Sequence, residues 1–452
     1  MQVSAHWAIE EFEAAAVPTP DASGRTPLQR IGLGTLLAAT ARRHPARIAL
    51  IDPADKAAWC GRSAITWTYA AAHEIVERLA KGLRGWRLAP GSRIGLCLPG
   101  STECALAFLA IEAAGHVPCW LPVSWDEERL LAAVQGAGLS AVLTLSRLGS
   151  AAPAQRLCAV AARYFGLRYL AAFGPDVPDG VINLDRIVVE GRSSAQPPSP
   201  VPASGFVSFT GGDPDRPVFR SGESLLAAAA AHLISARVGP DERILSLLAP
   251  HDLRGLVTGL AAALVAGAGL ETLPLFDGPG FAAALAVPTP THLVAPAFLE
   301  PNLAGRDLPK TLRSLCLVHR APTHLPSRGR DPHDAQALRA ARVVDTMVFD
   351  ETALISGLRG SSTDLALTLA EPDRIGLPAS LFAMRRDVEG RLRVRGNACA
   401  SVTVRRGEIG VVPPDSWRST PYAATLRSGL AIAVEPCPTG NEADEPYLRG
   451  TR

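Results

Sequence analysis

Apolar residues recur along this chain in short blocks of two kinds, and the two kinds alternate. From Leu28 through Leu36, Leu37 and Ala41 they keep helical spacing, and Ile48-Ala-Leu-Ile51 then forms a buried strand. Ala64-Ile-Thr-Trp-Thr-Tyr69 alternates like an edge strand and leads into a helix over 70–84. Pro90-Gly91 marks a turn, and Arg93-Ile-Gly-Leu-Cys-Leu98 is a nearly continuous apolar strand. A helix over 102–114, a strand near 117–121, a helix over 126–137 and the strand Ala141-Val-Leu-Thr144 complete the first run.

A stretch rich in Ser and Pro follows at 193–203, and beyond it the alternation resumes. Strands are expected at Phe206–Phe209, Arg243–Leu247, Leu293–Ala295, Leu315–Val318 and Val343–Phe349, with helices over 222–236 and 255–266. A polar stretch at 319–336, with His324, His333 and Asp334 in no metal-binding spacing, reads as a solvated loop. Short runs such as Leu392–Val394 and Ile409–Val412, separated by Pro and Gly, predict a small β-rich unit at the end. The division is a polar lead-in at 1–27, a first α/β subdomain at 28–192, a linker at 193–203, a second α/β subdomain at 204–370, and a β-rich subdomain with a polar tail at 371–452. The fold class is α/β: two similar subdomains with mainly parallel sheets flanked by helices, plus the small β-rich one.

Composition narrows the function. With 47% hydrophobic and 19% charged residues, the 452-residue chain has material for a large core. A formal charge of +2 and only 5% aromatic residues give neither the basic footprint nor the stacking platforms of a nucleic-acid binder. The longest uncharged apolar run, Gly255–Leu270, is shorter than the ~20 residues a bilayer requires, so a buried helix and no membrane span are expected. Glu10, Glu11 and Glu13 stand where a secretion signal would be apolar, which predicts a cytoplasmic location. Eight cysteines without C-x-x-C pairs fit small buried hydrophobes better than a zinc site or a disulfide scaffold. No G-x-G-x-x-G follows the early strands, which argues against a nicotinamide dehydrogenase.

Several segments resemble a known family. Ile65-Thr-Trp-Thr-Tyr-Ala70, Pro90-Gly-Ser-Arg-Ile-Gly-Leu-Cys-Leu-Pro99 and Phe108-Leu-Ala-Ile-Glu-Ala-Ala-Gly-His-Val-Pro118 are similar, in order and separation, to the adenylate-forming ligase superfamily of acyl-CoA synthetases, fatty-acid–AMP ligases and peptide-synthetase adenylation domains. Leu248–Leu256, Asp373–Pro378 and Asp387–Gly396 continue the likeness, which covers roughly 28–396. The resemblance implies a large N-terminal domain that binds ATP with Mg²⁺ and a carboxylic acid, and that forms an acyl-adenylate with release of pyrophosphate. It implies that His251 borders the acyl pocket, whereas the residues alone equally suit an exposed loop histidine beside Asp252.

Three stations of that chemistry differ here. Family members grip the β- and γ-phosphates with a Ser/Thr/Gly-rich turn after a strand. The matching stretch is Phe209-Thr-Gly-Gly-Asp-Pro-Asp-Arg-Pro-Val218, where Thr210, Gly211, Gly212 and Pro217 match and Arg216 is a candidate nucleotide contact. Asp213, Pro214 and Asp215 replace hydroxyl residues and a glycine, and Val218 replaces the lysine. A carboxylate ~4 Å from a phosphate oxygen costs about 4 kcal/mol at an effective dielectric near 20. Asp213 suits a polar turn in which it caps its own backbone, while Arg216 and Arg220 would offset part of the repulsion.

The second station is the strand end Phe349-Asp-Glu-Thr-Ala353, where Phe349 and Thr352 match. Ala353 stands where the resemblance places a Mg²⁺-holding glutamate, and Glu351 is two positions away, on the same side of an extended segment. The adenine-lining turn corresponds to His319-Arg-Ala-Pro322. The third station is the C-terminal domain, which carries a catalytic lysine in the family. The 56 residues after Gly396 hold no lysine and no Thr-Gly-Asp segment, so this domain is expected to be absent. The expected function is therefore that of an acyl-CoA-ligase-like protein with weak or lost adenylation. The alternatives are a ligase completed by a separate protein partner, and a non-catalytic scaffold for an acyl ligand or a protein.

Overall fold

The computed structural model describes residues 32–190, 205–304, 306–325, 342–374, 376–400, 402–405, 408–409 and 413–437. The expected lead-in at 1–27, the Ser/Pro linker at 193–203, His333, Asp334 and the polar tail lie outside the described residues.

After a helix at Leu33–Arg43, β1 (Ile48–Ile51) pairs with the edge strand β2 (Thr66–Thr68), as the alternation of Thr and Trp implied. Next come β3 (Arg93–Cys97), β4 (Val117–Trp120), β5 (Ala141–Leu145), β6 (Tyr169–Phe173) and β7 (Ile182–Asn183). They pair in parallel, with helices Thr102–Ala113, Glu127–Gly136 and Pro153–Arg163 between the first four. A hairpin follows, β8 (Gly205–Phe209) and β9 (Pro217–Ser221), and β8 lies parallel to β4. The second set is β10 (Arg243–Ser246), β11 (Gly269–Thr272), β12 (Thr291–Pro296), β13 (Leu312–Arg320), the short β14 (Thr323–His324), β15 (Arg342–Phe349) and β16 (Ala353–Leu358). The last set is β17 (Ala383–Arg386), β18 (Arg391–Arg395), β19 (Val402–Arg405), β20 (Glu408–Ile409), β21 (Arg418–Arg427) and β22 (Leu430–Pro436).

Three sheets result. One has nine strands in the order β20-β19-β9-β8-β4-β3-β5-β6-β7, one has eight in the order β16-β15-β13-β12-β10-β11-β1-β2, and the antiparallel third runs β14-β22-β21-β18-β17. The two large sheets exchange strands across the expected linker: β1 and β2 join the second sheet beside β11, while β8 and β9 join the first.

The helix Thr102–Ala113 explains the layering. Its residues 102–112 are all buried, including Thr102, Glu103 and Glu112, and a helix apolar on nearly every side must lie inside. The largest apolar cluster joins this helix to Ile94 and Leu96 of one sheet and to Ile244 and Leu270 of the other, so the core sits between the two sheets. Smaller clusters cover the outer faces, one around Leu130, Val134 and Leu157, the other around Leu285, Leu293 and Leu315. The expected helix over 255–266 begins at Leu253 and contains a π-helical stretch, Leu256–Ala261, before ending at Ala266. No helix among the described residues is long and apolar enough to cross a membrane. Six cysteines are buried, Cys158 and Cys437 are half-buried, and all eight are free.

Candidate functional site

The turn joining β8 to β9 is polar and closes on itself. Gly211 and Gly212 have φ of 63° and 70°, which favours glycine, and a Cβ on either would meet nothing within 4 Å. The Thr210 amide donates to the Arg216 carbonyl at 3.0 Å, Asp213 N to Thr210 O at 3.0 Å, and Arg216 N to Asp213 O at 3.1 Å. The Asp215 amide donates to Asp213 Oδ1 at 3.0 Å, so Asp213 does cap its own backbone. Four amides of this loop are thus satisfied within it. From outside, Arg129 donates to the Gly212 carbonyl at 2.5 Å.

Arg220 was expected to face this loop and does not. It is 1% exposed, the second-largest fully buried side chain, because β9 turns it beneath the β15–β16 turn. Its Nη1 donates to Ser224 Oγ and to the Ala398 carbonyl, both at 2.8 Å. Its Nη2 donates to the carbonyls of Glu351 at 3.0 Å and Thr352 at 3.1 Å. Burial pulls its pKa down to about 10, so the guanidinium stays charged at neutral pH. The Thr352 carbonyl also accepts the Ala400 amide at 2.8 Å.

Phe349 is buried at the end of β15 and lies 6.5 Å from the Tyr422 ring. Asp350 adopts the left-handed conformation, φ 47°, which residues other than glycine seldom take. Its carboxylate accepts the Tyr422 hydroxyl at 3.0 Å. Ala353 is fully buried opposite Phe349. Glu351 faces inward, 5% exposed, accepting Ser208 Oγ of β8 at 2.6 Å and the Leu253 amide at 3.2 Å. Burial first, and then the nearby Asp252 charge, push its pKa well above the usual carboxylate range. Asp252 caps the helix, accepting from the amides of Arg254 at 3.0 Å and Gly255 at 3.3 Å. Burial works to raise its pKa, but the Arg254 guanidinium overrides that and holds Asp252 below its ordinary value.

His251 precedes this cap, its side chain 34% exposed and 4.0 Å from Asp252. Arg320, at the end of β13, acts electrostatically on both His251 and the Tyr422 hydroxyl and so links them, and Arg216 reaches Tyr422 as well. His319, beside Arg320, is instead held inward by Asp345 at 3.1 Å.

The β15–β16 turn assembles few oxygens for a divalent metal. Ala353 offers none, the Thr352 carbonyl already has two donors, Glu351 is held inward by hydrogen bonds, and the one remaining carboxylate, Asp350, accepts the Tyr422 hydroxyl. The Arg220 cation, bonded to two carbonyls of the same turn, opposes a second cation there. Among the described residues no group of three or more metal-ligating side chains is assembled.

Sequence reading singled out Thr210, Gly211, Gly212, Arg216, His251, Phe349 and Thr352 as candidates, and it placed Glu351 two positions from Ala353. It missed the cross-links made by Arg220, Ser208 and Asp252. The available signal was a charged residue inside the otherwise apolar strand Pro217–Ser221, which demands a buried partner.

With this geometry in view, comparison with known proteins adds three findings. The model of the family described as AMP-binding enzyme matches residues 37–343. The salicyl-AMP ligase / salicyl-S-ArCP synthetase of Mycobacterium tuberculosis is 28% identical over 332 residues, 71% of this chain and 54% of that protein. The novobiocin biosynthesis protein H of Streptomyces niveus is 28% identical over 266 residues, 57% of this chain and 40% of that protein. The chain spans about half the length of these curated relatives. Among solved structures, a benzoate CoA ligase from Burkholderia xenovorans LB400 superposes with a TM-score of 0.69 over 90% of this chain and 80% of that one, at 15% identity, a likeness of fold.

Proposed function

The chain belongs to the AMP-binding enzyme family, and on that premise we propose that it is an adenylate-forming-ligase-like protein whose ATP-dependent adenylation is weak or lost. The observation that carries this reading is the buried Arg220 guanidinium, bonded to the Glu351 and Thr352 carbonyls in the turn where the family resemblance places a metal-holding glutamate. A fixed internal cation there opposes Mg²⁺ binding, and without Mg²⁺ the triphosphate loses its main charge partner. The self-satisfied amides of the Thr210–Arg216 turn and the two acids within it act in the same direction. On this reading the protein, which we place in the cytoplasm, keeps affinity for a carboxylic acid or acyl ligand near His251, with Arg320 as the nearby cation.

The test is ATP–pyrophosphate exchange with a panel of fatty and aromatic acids. Exchange should stay at background. ATP with Mg²⁺ should also leave the melting temperature nearly unchanged, whereas a Kd of about 1 mM would add roughly 1.4 kcal/mol at tenfold excess ligand. Robust exchange by the purified chain sinks the proposal.

A second reading is that a separate protein partner completes the ligase. Exchange would then be absent from either protein alone and appear on mixing them. The same experiment separates the two readings.

A further inference from the structure

The antiparallel sheet carries a feature unconnected with nucleotide chemistry. Along β17 and β18, Met384, Leu392 and Val394 are buried, so Arg385, Arg393 and Arg395 share the opposite, outward face. Arg385 is paired in register directly with Arg393, and Arg395 lies two residues further along the same face. Like charges directly opposite each other on a sheet are destabilising. Yet none of the three has an ion-pair partner among the described residues, and the Nε of Arg393 makes no hydrogen bond. Glu389 pairs instead with Arg391 at 3.1 Å, Asp387 accepts the amides of its own hairpin turn, and the exposed Asp415 makes no ion pair with any of the three.

Trp417 sits beside this row. The guanidinium carbons of Arg385 and Arg395 lie 4.3 and 4.7 Å from its ring centre, which holds both forks in place. Two guanidinium groups held on Trp417, with Arg393 on the same face of the strand pair, match a row of oxyanions, each able to take two parallel hydrogen bonds. The chain's formal charge of only +2 and its 5% aromatic content disfavour single-stranded nucleic acid as the occupant.

We propose that the outward face of β17 and β18, with Arg385, Arg393 and Arg395 as its contacts, is a docking surface for an acidic protein segment presenting several carboxylates in a row. Binding relieves the repulsion between Arg385 and Arg393 and is governed by charge, so it weakens steeply with salt.

The test uses fluorescence anisotropy with a labelled octaglutamate peptide and the full chain. The peptide should bind at low salt, release near 0.5 M salt, and lose at least tenfold in affinity in the R385Q/R393Q/R395Q variant. The single variant R393Q should lose severalfold, which keeps the test decisive if the triple variant folds poorly. A control variant with R42Q and R43Q, on the exposed end of the helix Leu33–Arg43, should bind like the parent. Absence of octaglutamate binding, or equal binding by parent, triple and single variants, overturns the proposal. Tighter binding of an eight-nucleotide oligo-dT than of octaglutamate also overturns it and assigns the face to nucleic acid.

Discussion

Burying a charge is costly unless every donor or acceptor around it is met, and Arg220 meets that demand with four oxygen partners. Glu351 meets it differently, by favouring its proton. This has a measurable consequence. With its folded pKa raised from the ordinary 4.5 to about 7, the native state binds more protons than the unfolded state between those values. Stability therefore falls as pH rises through that window. In E351Q this titration is gone, so its melting temperature relative to the parent should improve steadily from pH 4.5 to 7 and then level off. Melting curves at four or five pH values test the sign, and a parallel pair of curves refutes it. Sequence reading reached part of this. It found that Ala353 lacks a ligand atom and that Glu351 is two residues away, but chain spacing cannot show that Ser208, on a strand of the other sheet, and the Leu253 amide would claim that carboxylate.

Element boundaries were legible wherever a local chemical signal marked them. The apolar periodicity gave the strands β3 to β5 and the helices between them, although the caps Thr68 and Asp126, which accept the Ala71 and Arg129 amides, were not singled out. The helical run from Leu253 was legible to its end at Ala266 but not at its start, which depends on Asp252, nor in its π-helical stretch, which depends on packing. Two glycines in that run separate local propensity from tertiary constraint. A Cβ at Gly255 would meet the Ala249 carbonyl oxygen at 2.0 Å, whereas at Gly259 its nearest neighbour is Ser246 Oγ at 3.7 Å. Gly255→Ala should therefore destabilise the protein by about 1–3 kcal/mol through overpacking against rigid backbone. Gly259→Ala should be neutral or stabilising by roughly 0.5–1 kcal/mol, from helix propensity. Denaturant midpoints of the two variants measure the contrast, and equal effects would mean that the backbone near Ala249 yields.

At the scale of the whole molecule, the α/β class followed from alternation alone, but the pairing order did not. Neither the hydrogen bonds of β1 to β11 nor those of β4 to β8 have any signature in local sequence, since buried parallel strands read alike whichever sheet they join. The exchange of strands makes the two large sheets interdependent. Removing the part of the chain before the Ser/Pro stretch would take β1 and β2 from the eight-stranded sheet and open the edge of β11. Removing the part after it would take β8 and β9 from the nine-stranded sheet and open β4. Each piece alone would also expose its side of the shared core, including the helix Thr102–Ala113 that is buried almost all round. A protease site placed within 193–203 and cut after folding should therefore leave two fragments that elute together at the size of the intact chain and melt in one transition. Dilution into moderate denaturant should separate and unfold both at the same midpoint. Two independently folded fragments, or two transitions, would show that each stretch of chain builds its own core and that the strand exchange contributes little to stability.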